Sequence, residues 1–233
     1  MRDGRLRRSE RRAVVEGPHL LAAALAAGLK PVAVFGTELA LGKPEIATLV
    51  RQARVAPVVL AAPVFGAIAD AETPPGIAAE IALPELTRKG AAVFLEGIQD
   101  AGNVGAIIRS AAAFGVGSIT LDRQCADPWS PKVLRAGMGG HFVVGIRQVD
   151  DLVASIGTAR LICTVVHGGQ PLRQANLSGA WAFGAEGAGL SPQLLARAAE
   201  RVTIPMAGGE SLNVAAAAAI CLYEAFSRPG GGS

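Results

Sequence analysis

The sequence predicts an α/β fold in two parts: a small mixed domain, then a larger domain on a mostly parallel sheet. Three observations carry that prediction. Short apolar runs with strand character alternate with helical periodicity along nearly all of the 233 residues, the pattern of strands joined by crossover helices. A charged, proline-bearing stretch at 84–90 separates the first third from the rest. Hydrophobic residues make up 51% and charged residues 18%, enough apolar side chain for a sizeable core and too little charge for a disordered chain.

The elements follow in order. Residues 1–12 are a basic arm, in which Arg2, Arg5, Arg7, Arg8, Arg11 and Arg12 stand against Asp3 and Glu10. That surplus of +4 exceeds the net charge of +3, so the body of the chain is close to neutral. Such an arm points to a polyanionic partner, with a solvated, frayed terminus as the alternative. A helix is expected over 14–29, where Val14, Leu20, Leu21, Leu25 and Leu29 share a face. A strand at 31–35, a helix at 45–54, a strand at 58–60, a short helix at 63–69 and an apolar run at 77–83 complete a small α/β domain over 13–83. After the linker at 84–90, residues 91–227 alternate again. Strands are expected at 91–96, 118–121, 142–146, 160–166, 181–184 and 202–204. Helices are expected at 103–114, 132–138, 150–156, 192–198 and 212–226. The glycine-rich tail 228–233 is expected to be flexible.

Composition excludes several classes of function. Mean hydropathy is +0.38, but the longest uncharged, mostly apolar window, 55–69, is too short to span a bilayer and is interrupted by Pro57, Pro63 and Gly66. No membrane span and no secretory signal are expected. Cys125, Cys163 and Cys221 show no C-x-x-C spacing, which argues against a disulfide framework or a zinc site and for buried thiols in a reducing, cytoplasmic compartment. His19, His141 and His167 form no pair at metal-ligand spacing, so no metal is expected.

Three loops could hold a nucleotide. The first, 100–109, follows a strand and opens a helix with Asn103 as its expected N-cap. Val104, Ile107, Ile108 and Ala111 form the buried stripe. Arg109 lies off that stripe, and Gly115 should end the helix. The second, 183–192, places Gly184, Gly187 and Gly189 around Glu186 at a strand end, where bare backbone amides can approach a ligand. Ser191 is the expected cap of the next helix. The third, 204–215, is a glycine turn into an alanine-rich helix, with Ser211 as its expected N-cap. Residues 215–219 are small enough to pack closely against the sheet or a second subunit. Taken alone, the first loop reads better as an ordinary exposed arginine on a helix, the second as weak evidence beside a tight turn, and the third as no more than a capped core helix.

Taken together, in this order and at this separation, they resemble the three motifs of the SpoU (TrmH-like) RNA ribose 2′-O-methyltransferases of the SPOUT superfamily. The matching strings are Asn103-Val-Gly-Ala-Ile-Ile-Arg-Ser-Ala, Phe183-Gly-Ala-Glu-Gly-Ala-Gly-Leu-Ser and Ile204-Pro-Met…Ser-Leu-Asn-Val-Ala. They cover about residues 90–226. The first part, with Arg12…Val-Glu-Gly-Pro-His19, looks like the small RNA-binding domain that precedes the catalytic domain in many members. The resemblance implies a deep trefoil knot, S-adenosylmethionine as cofactor, a homodimer with each active site near the subunit interface, and structured ribosomal or transfer RNA as substrate. It implies catalytic roles for Asn103, Arg109, Glu186, Ser211 and Asn213. It places Gly184, Glu186, Gly187, Ile204, Met206, Ser211 and Leu212 around the cofactor. RNA contacts are expected from Arg7, Arg8, Arg11 and Arg12 of the arm and from Arg109 and Arg135. One departure stands out: members often carry Arg-Ala-Ser-x-Gly where this chain has Arg135-Ala-Gly137-Met-Gly139. The alternatives to ribose methylation are a catalytically silent RNA-binding or ribosome-assembly protein on the same fold, an RNA base methyltransferase, and an unrelated nucleotide-binding α/β enzyme.

Overall fold

In the computed structural model, which describes residues 3–228, the basic arm is not a free tail. Helix α1 (Gly4–Glu10) is N-capped by Asp3, and two of its arginines face a carboxylate. Arg7 is only 5% exposed, and its Nε and Nη2 donate to Asp127 Oδ2 at 3.0 and 2.6 Å. Arg8 Nη1 lies 3.9 Å from the same oxygen. Arg11 meets Glu85 and Arg12 meets Glu80, at 2.7 and 3.0 Å. Carboxylates far along the chain thus offset much of what composition alone counts as surplus charge. Arg2 is outside the described residues.

Strand β1 (Arg12–Glu16) opens the small sheet and corrects the helix expected from residue 14. Ala13 and Val15 are fully buried on one face, the two-residue period of a strand. Gly17, at φ 93°, then turns the chain into helix α2 (Pro18–Ala26). There follow β2 (Pro31–Thr37), α3 (Glu38–Leu41), α4 (Pro44–Ala53), β3 (Pro57–Leu60), α5 (Ala62–Ile68) and β4 (Ile77–Ala82). The sheet order is β1-β4-β2-β3, with β1 and β2 antiparallel to β4 and β2 parallel to β3. Its core takes in Trp129, Leu134 and Phe142 from the second part of the chain alongside Leu21, Ile46 and Ile81.

The second part contains β5 (Ala92–Glu96), α6 (Ala101–Ala113), β6 (Ser118–Asp122), α7 (Pro131–Gly137), a 3-10 turn (Gly140–Phe142), β7 (Gly145–Val149), α8 (Leu152–Ser155), β8 (Leu161–Thr164), β9 (Gln170–Pro171), β10 (Ala180–Gly184), α9 (Pro192–Ala196), β11 (Ala198–Thr203) and α10 (Val214–Ser227). The expected strand at 142–146 starts later, because Phe142 is spent on the core of the small sheet. The order β7-β6-β5-β10-β8-β11-β9 is parallel at every pairing. Both faces are covered, as an all-parallel sheet requires. Val93, Leu95, Trp181 and Phe183 pack on one side with Ile107 and Ile108 of α6 and Leu222 of α10. Phe94, Ala182 and Cys163 pack on the other with Leu152 and Leu194.

The chain steps outward from β5 to β7, crosses back to β8, and inserts β10 between β5 and β8. The carboxyl ends of β8, β10 and β11 therefore gather at a reversal of strand order, where open α/β sheets bind ligands. Arg228, assigned to the tail from sequence, instead donates to the carbonyls of Ala175 and Leu172 at 2.8 and 3.0 Å. Residues 229–233 are outside the described residues. The three cysteines are buried and unpaired. Burial pushes the Cys163 thiol up to about 11 and that of Cys221 up to about 12, and it raises Cys125, which also faces Asp122. Among the described residues no helix is long and apolar enough to cross a membrane.

Candidate active site

The first loop enters α6 with Asp100, not Asn103, as the N-cap. Asp100 Oδ1 accepts from the Asn103 amide at 2.8 Å, so the Asn103 side chain is free to reach across the site. Val104, Ile107, Ile108 and Ala111 are fully buried, as the spacing requires, and Arg109 is exposed. Gly115, at φ 71°, ends the helix.

The second loop leaves β10 at Gly184 and folds back on itself through a bridge between Ala185 and Gly189. A Cβ on Gly184 would overlap the backbone of Gly189 and Leu190, so this close return demands glycine. The turn lifts Glu186 and Gly187 to the surface. Ser191 caps α9, accepting from Leu194 N at 3.3 Å, and its own amide donates to Glu96 Oε2 at 2.7 Å. The loop is thereby tied to the end of β5.

The third loop reaches α10 with Asn213, not Ser211, as N-cap. Asn213 Oδ1 accepts from the amides of Ala215 and Ala216 at 2.9 and 3.2 Å. Its Nδ2 donates to Asn103 Oδ1 at 3.0 Å and to Glu186 Oε1 at 2.8 Å. Asn103 Nδ2 donates to the same Glu186 oxygen at 3.0 Å. One carboxylate oxygen and two amides thus join all three loops.

Behind this tie lies a cavity of about 510 Å³, within the range of small-ligand sites. Gly184, Glu186, Gly187, Ile204, Met206, Ser211 and Leu212, the seven expected cofactor positions, all line it. Sequence reasoning missed residues 164–167, which follow β8 and complete the wall. The available signal was their place at the end of a central parallel strand.

Two expected residues sit elsewhere. Arg109 is six residues beyond Asn103, about 9 Å along the helix axis. It lines a separate depression beside His19 and Met138. Arg135 is committed to the seam between the two sheets, where Nη2 meets Asp70 Oδ2 at 2.7 Å and Nη1 lies 3.8 Å from Glu16 Oε2. The departure at Gly137 also has a structural cause. A Cβ there would run into the ring of His141. His141 is fully buried, with Nε2 2.8 Å from the Pro128 carbonyl. Burial lowers its pKa to about 4, so the ring is neutral near pH 7. Among the described residues no group of three His, Cys, Asp or Glu could hold a metal ion.

Comparison with known proteins matches this architecture. Residues 90–223 match the SpoU rRNA Methylase family, and residues 1–79 match an MRM3-like substrate binding domain. An uncharacterized tRNA/rRNA methyltransferase of Synechocystis sp. is 33% identical over 94% of this chain and 85% of its own length. The 23S rRNA (guanosine(2553)-2'-O)-methyltransferase of Bacillus subtilis is 35% identical over 68% of each chain. Among solved structures, an RNA methyltransferase of the TrmH family from Porphyromonas gingivalis superposes with a TM-score of 0.80 at 31% identity, covering 96% of this chain and 92% of that one. An AdoMet-bound rRNA methyltransferase from Sinorhizobium meliloti gives 0.81 at 25% identity over 95% and 89%. Two motif loops lining one cavity, a third joined to them through Asn103, and a family match over more than half of the sequence lead to one conclusion: the chain belongs to the SpoU rRNA methylase family.

Proposed function

We propose that this protein transfers the methyl group of S-adenosylmethionine to a ribose 2′-hydroxyl of structured ribosomal or transfer RNA. The observation that carries the reading is the junction of Asn103, Glu186 and Asn213, whose Glu186 also lines the cavity that gathers every expected cofactor position. The relatives' names, and the AdoMet bound to the Sinorhizobium meliloti enzyme, support it. The cavity suits the cofactor. Ile204, Leu212 and Phe183 offer apolar walls for an adenosine, bare backbone at Gly184 and Gly187 offers hydrogen bonds, and Glu186 and Glu210 bring negative charge toward a cation.

S-adenosylmethionine supplies an already activated methyl group, so the chain needs no nucleophile of its own and works by alignment. Asn103 and Asn213 hold the three loops in register. Glu186 Oε1 accepts both amides, while Oε2 has no hydrogen-bond partner among the described residues and is open to the hydroxyl proton. Arg109, whose guanidinium is a poor base, grips the phosphate beside the target ribose. It stands apart from the junction, which supports a homodimer in which a second copy completes the site. The exposed apolar side of α10, with Ile220, Tyr223 and Phe226 next to Phe114, is the surface such a dimer would bury. The deep knot and a cytoplasmic location belong to the same reading. Incubation with tritiated S-adenosylmethionine and total RNA tests it: label on a ribose oxygen supports the reading, and label on a base overturns it.

A further inference from the structure

Two depressions lie along the seam between the small and large sheets, away from the cofactor cavity. One, of about 520 Å³, is lined by His19, Arg88 and Arg109. The other, of about 660 Å³, is lined by Arg8, Arg11, Arg88, Arg123 and Arg147 against Glu85 and Asp127. Arg88 borders both, so the two adjoin at that residue on a line from Arg109 to the edge strand β7. We propose that this seam is the track for the RNA sugar-phosphate backbone, with Arg88 and Arg147 as its positioning residues. The proposal rests on the methyl-transfer reading for its choice of polyanion.

Pairing sorts the arginines of the seam: Arg11 meets Glu85 at 2.7 Å and Arg123 meets Asp150 at 2.8 Å. Arg7, Arg12 and Arg135 are held by Asp127, Glu80 and Asp70. Arg88 and Arg109 are exposed, and neither has a hydrogen-bond or ion-pair partner among the described residues. Arg147 is aimed by its Nε, which donates to Thr120 Oγ1 at 3.0 Å, leaving both terminal nitrogens for a phosphate fork. Of the two carboxylates, Asp127 already accepts the buried Arg7 at 2.6 Å. With Arg11 and Arg123 paired, the positive potential along the seam rests on Arg88, Arg109 and Arg147.

The linker that carries Arg88 is a strap laid flush on the second domain. A Cβ on Gly117 would meet the Arg88 carbonyl oxygen at 2.7 Å, and one on Gly145 would meet that of Leu86 at 2.5 Å. Two absent side chains therefore seat the strap, and the Gly117 amide donates to Ala91 O at 2.9 Å beside it. The seam also has a direction. It ends at Arg109, the residue proposed to grip the phosphate beside the target ribose, so a strand lying in it is led toward the reacting site.

The test is the anisotropy of a fluorescein-labelled ribosomal stem-loop RNA bound by Arg88→Glu, Arg147→Glu and the control Arg51→Glu. Arg51 is exposed and lines neither depression. Arg88→Glu and Arg147→Glu should each weaken binding at least tenfold and lower the salt slope by about one. Arg51→Glu should change affinity less than twofold, and melting temperature should be kept throughout. Calorimetric affinity for S-adenosylmethionine should be the same in all. Seam variants that bind RNA like the control overturn the track, as does displacement of the RNA by polyglutamate at equal charge. Loss of RNA affinity in the seam variants of a protein that fails to bind S-adenosylmethionine would keep the track and sink the methyl-transfer reading instead.

Discussion

Asn213 does two jobs with one side chain, and two substitutions separate them. Its oxygen caps α10 and its nitrogen ties Asn103 to Glu186. Replacing an N-cap asparagine by alanine costs about 1 kcal/mol. The neutral bond to Asn103 adds roughly 0.5–1 kcal/mol. The bond to the Glu186 carboxylate contributes about 1 kcal/mol once solvent exposure is discounted. Asn213→Ala should therefore lose about 2–3 kcal/mol, since the contributions share one side chain and do not simply add. For a chain of this size that is a fall in Tm of roughly 5–10 °C. Asn213→Asp keeps the acceptor, and a negative charge favours a helix N-terminus, but it removes both donors and sets a carboxylate beside Glu186. It should keep about half of the lost stability yet bind S-adenosylmethionine no better than Asn213→Ala, about tenfold below the parent. Scanning calorimetry and isothermal titration read the two quantities separately. Equal melting temperatures for the two variants with undiminished cofactor affinity would refute the double role.

The other predictions follow from single contacts. Gly184→Ala places a methyl group against the Gly189–Leu190 backbone, which cannot yield as a flexible side chain would, so cofactor affinity measured by calorimetry should drop more than tenfold. Gly137→Ser should cost about 1–3 kcal/mol by overpacking against His141, and pairing it with His141→Ala should recover part of the lost Tm. His141 gives the pH dependence its sign: its folded pKa, about 4, lies below the ordinary histidine value of 6.5. The unfolded chain therefore binds the proton first as pH falls. Stability is complete above pH 6.5 and declines toward pH 4 by up to about 3 kcal/mol, a slope that urea titrations should show flattened in His141→Gln. The three buried thiols should resist a disulfide reagent at pH 8 in the native protein and all react once urea unfolds it.

The larger sheet was legible because side-chain alternation and helical stripes are local signals. Val93 and Leu95 against Phe94, and Val104, Ile107, Ile108 and Ala111, announce their faces within a few residues. The motif loops were legible as a set, and all seven cofactor positions share one cavity. What sequence could not show is pairing across distance. The Asn213–Asn103 bond spans 110 positions and the Arg7–Asp127 pair spans 120, so neither the tie between the loops nor the pairing of the arm could be read from local pattern. Val14 fits a helical face as well as a strand, so the helix expected from residue 14 overlaps the end of the strand Arg12–Glu16, although Gly17 and Pro18 follow immediately. The departure at Gly137 could only be explained once His141 was seen filling the space of the missing side chain.

The central claim is that the junction of Asn103, Glu186 and Asn213 guards a methyl-transfer site acting on ribose. Nucleoside mass spectrometry of total RNA after incubation with the protein and deuterated S-adenosylmethionine tests it most directly. The account predicts a labelled 2′-O-methyl nucleoside, at a level cut at least a hundredfold by Glu186→Gln with RNA binding intact. A label on a base, or an undiminished ribose label in Glu186→Gln, would contradict it.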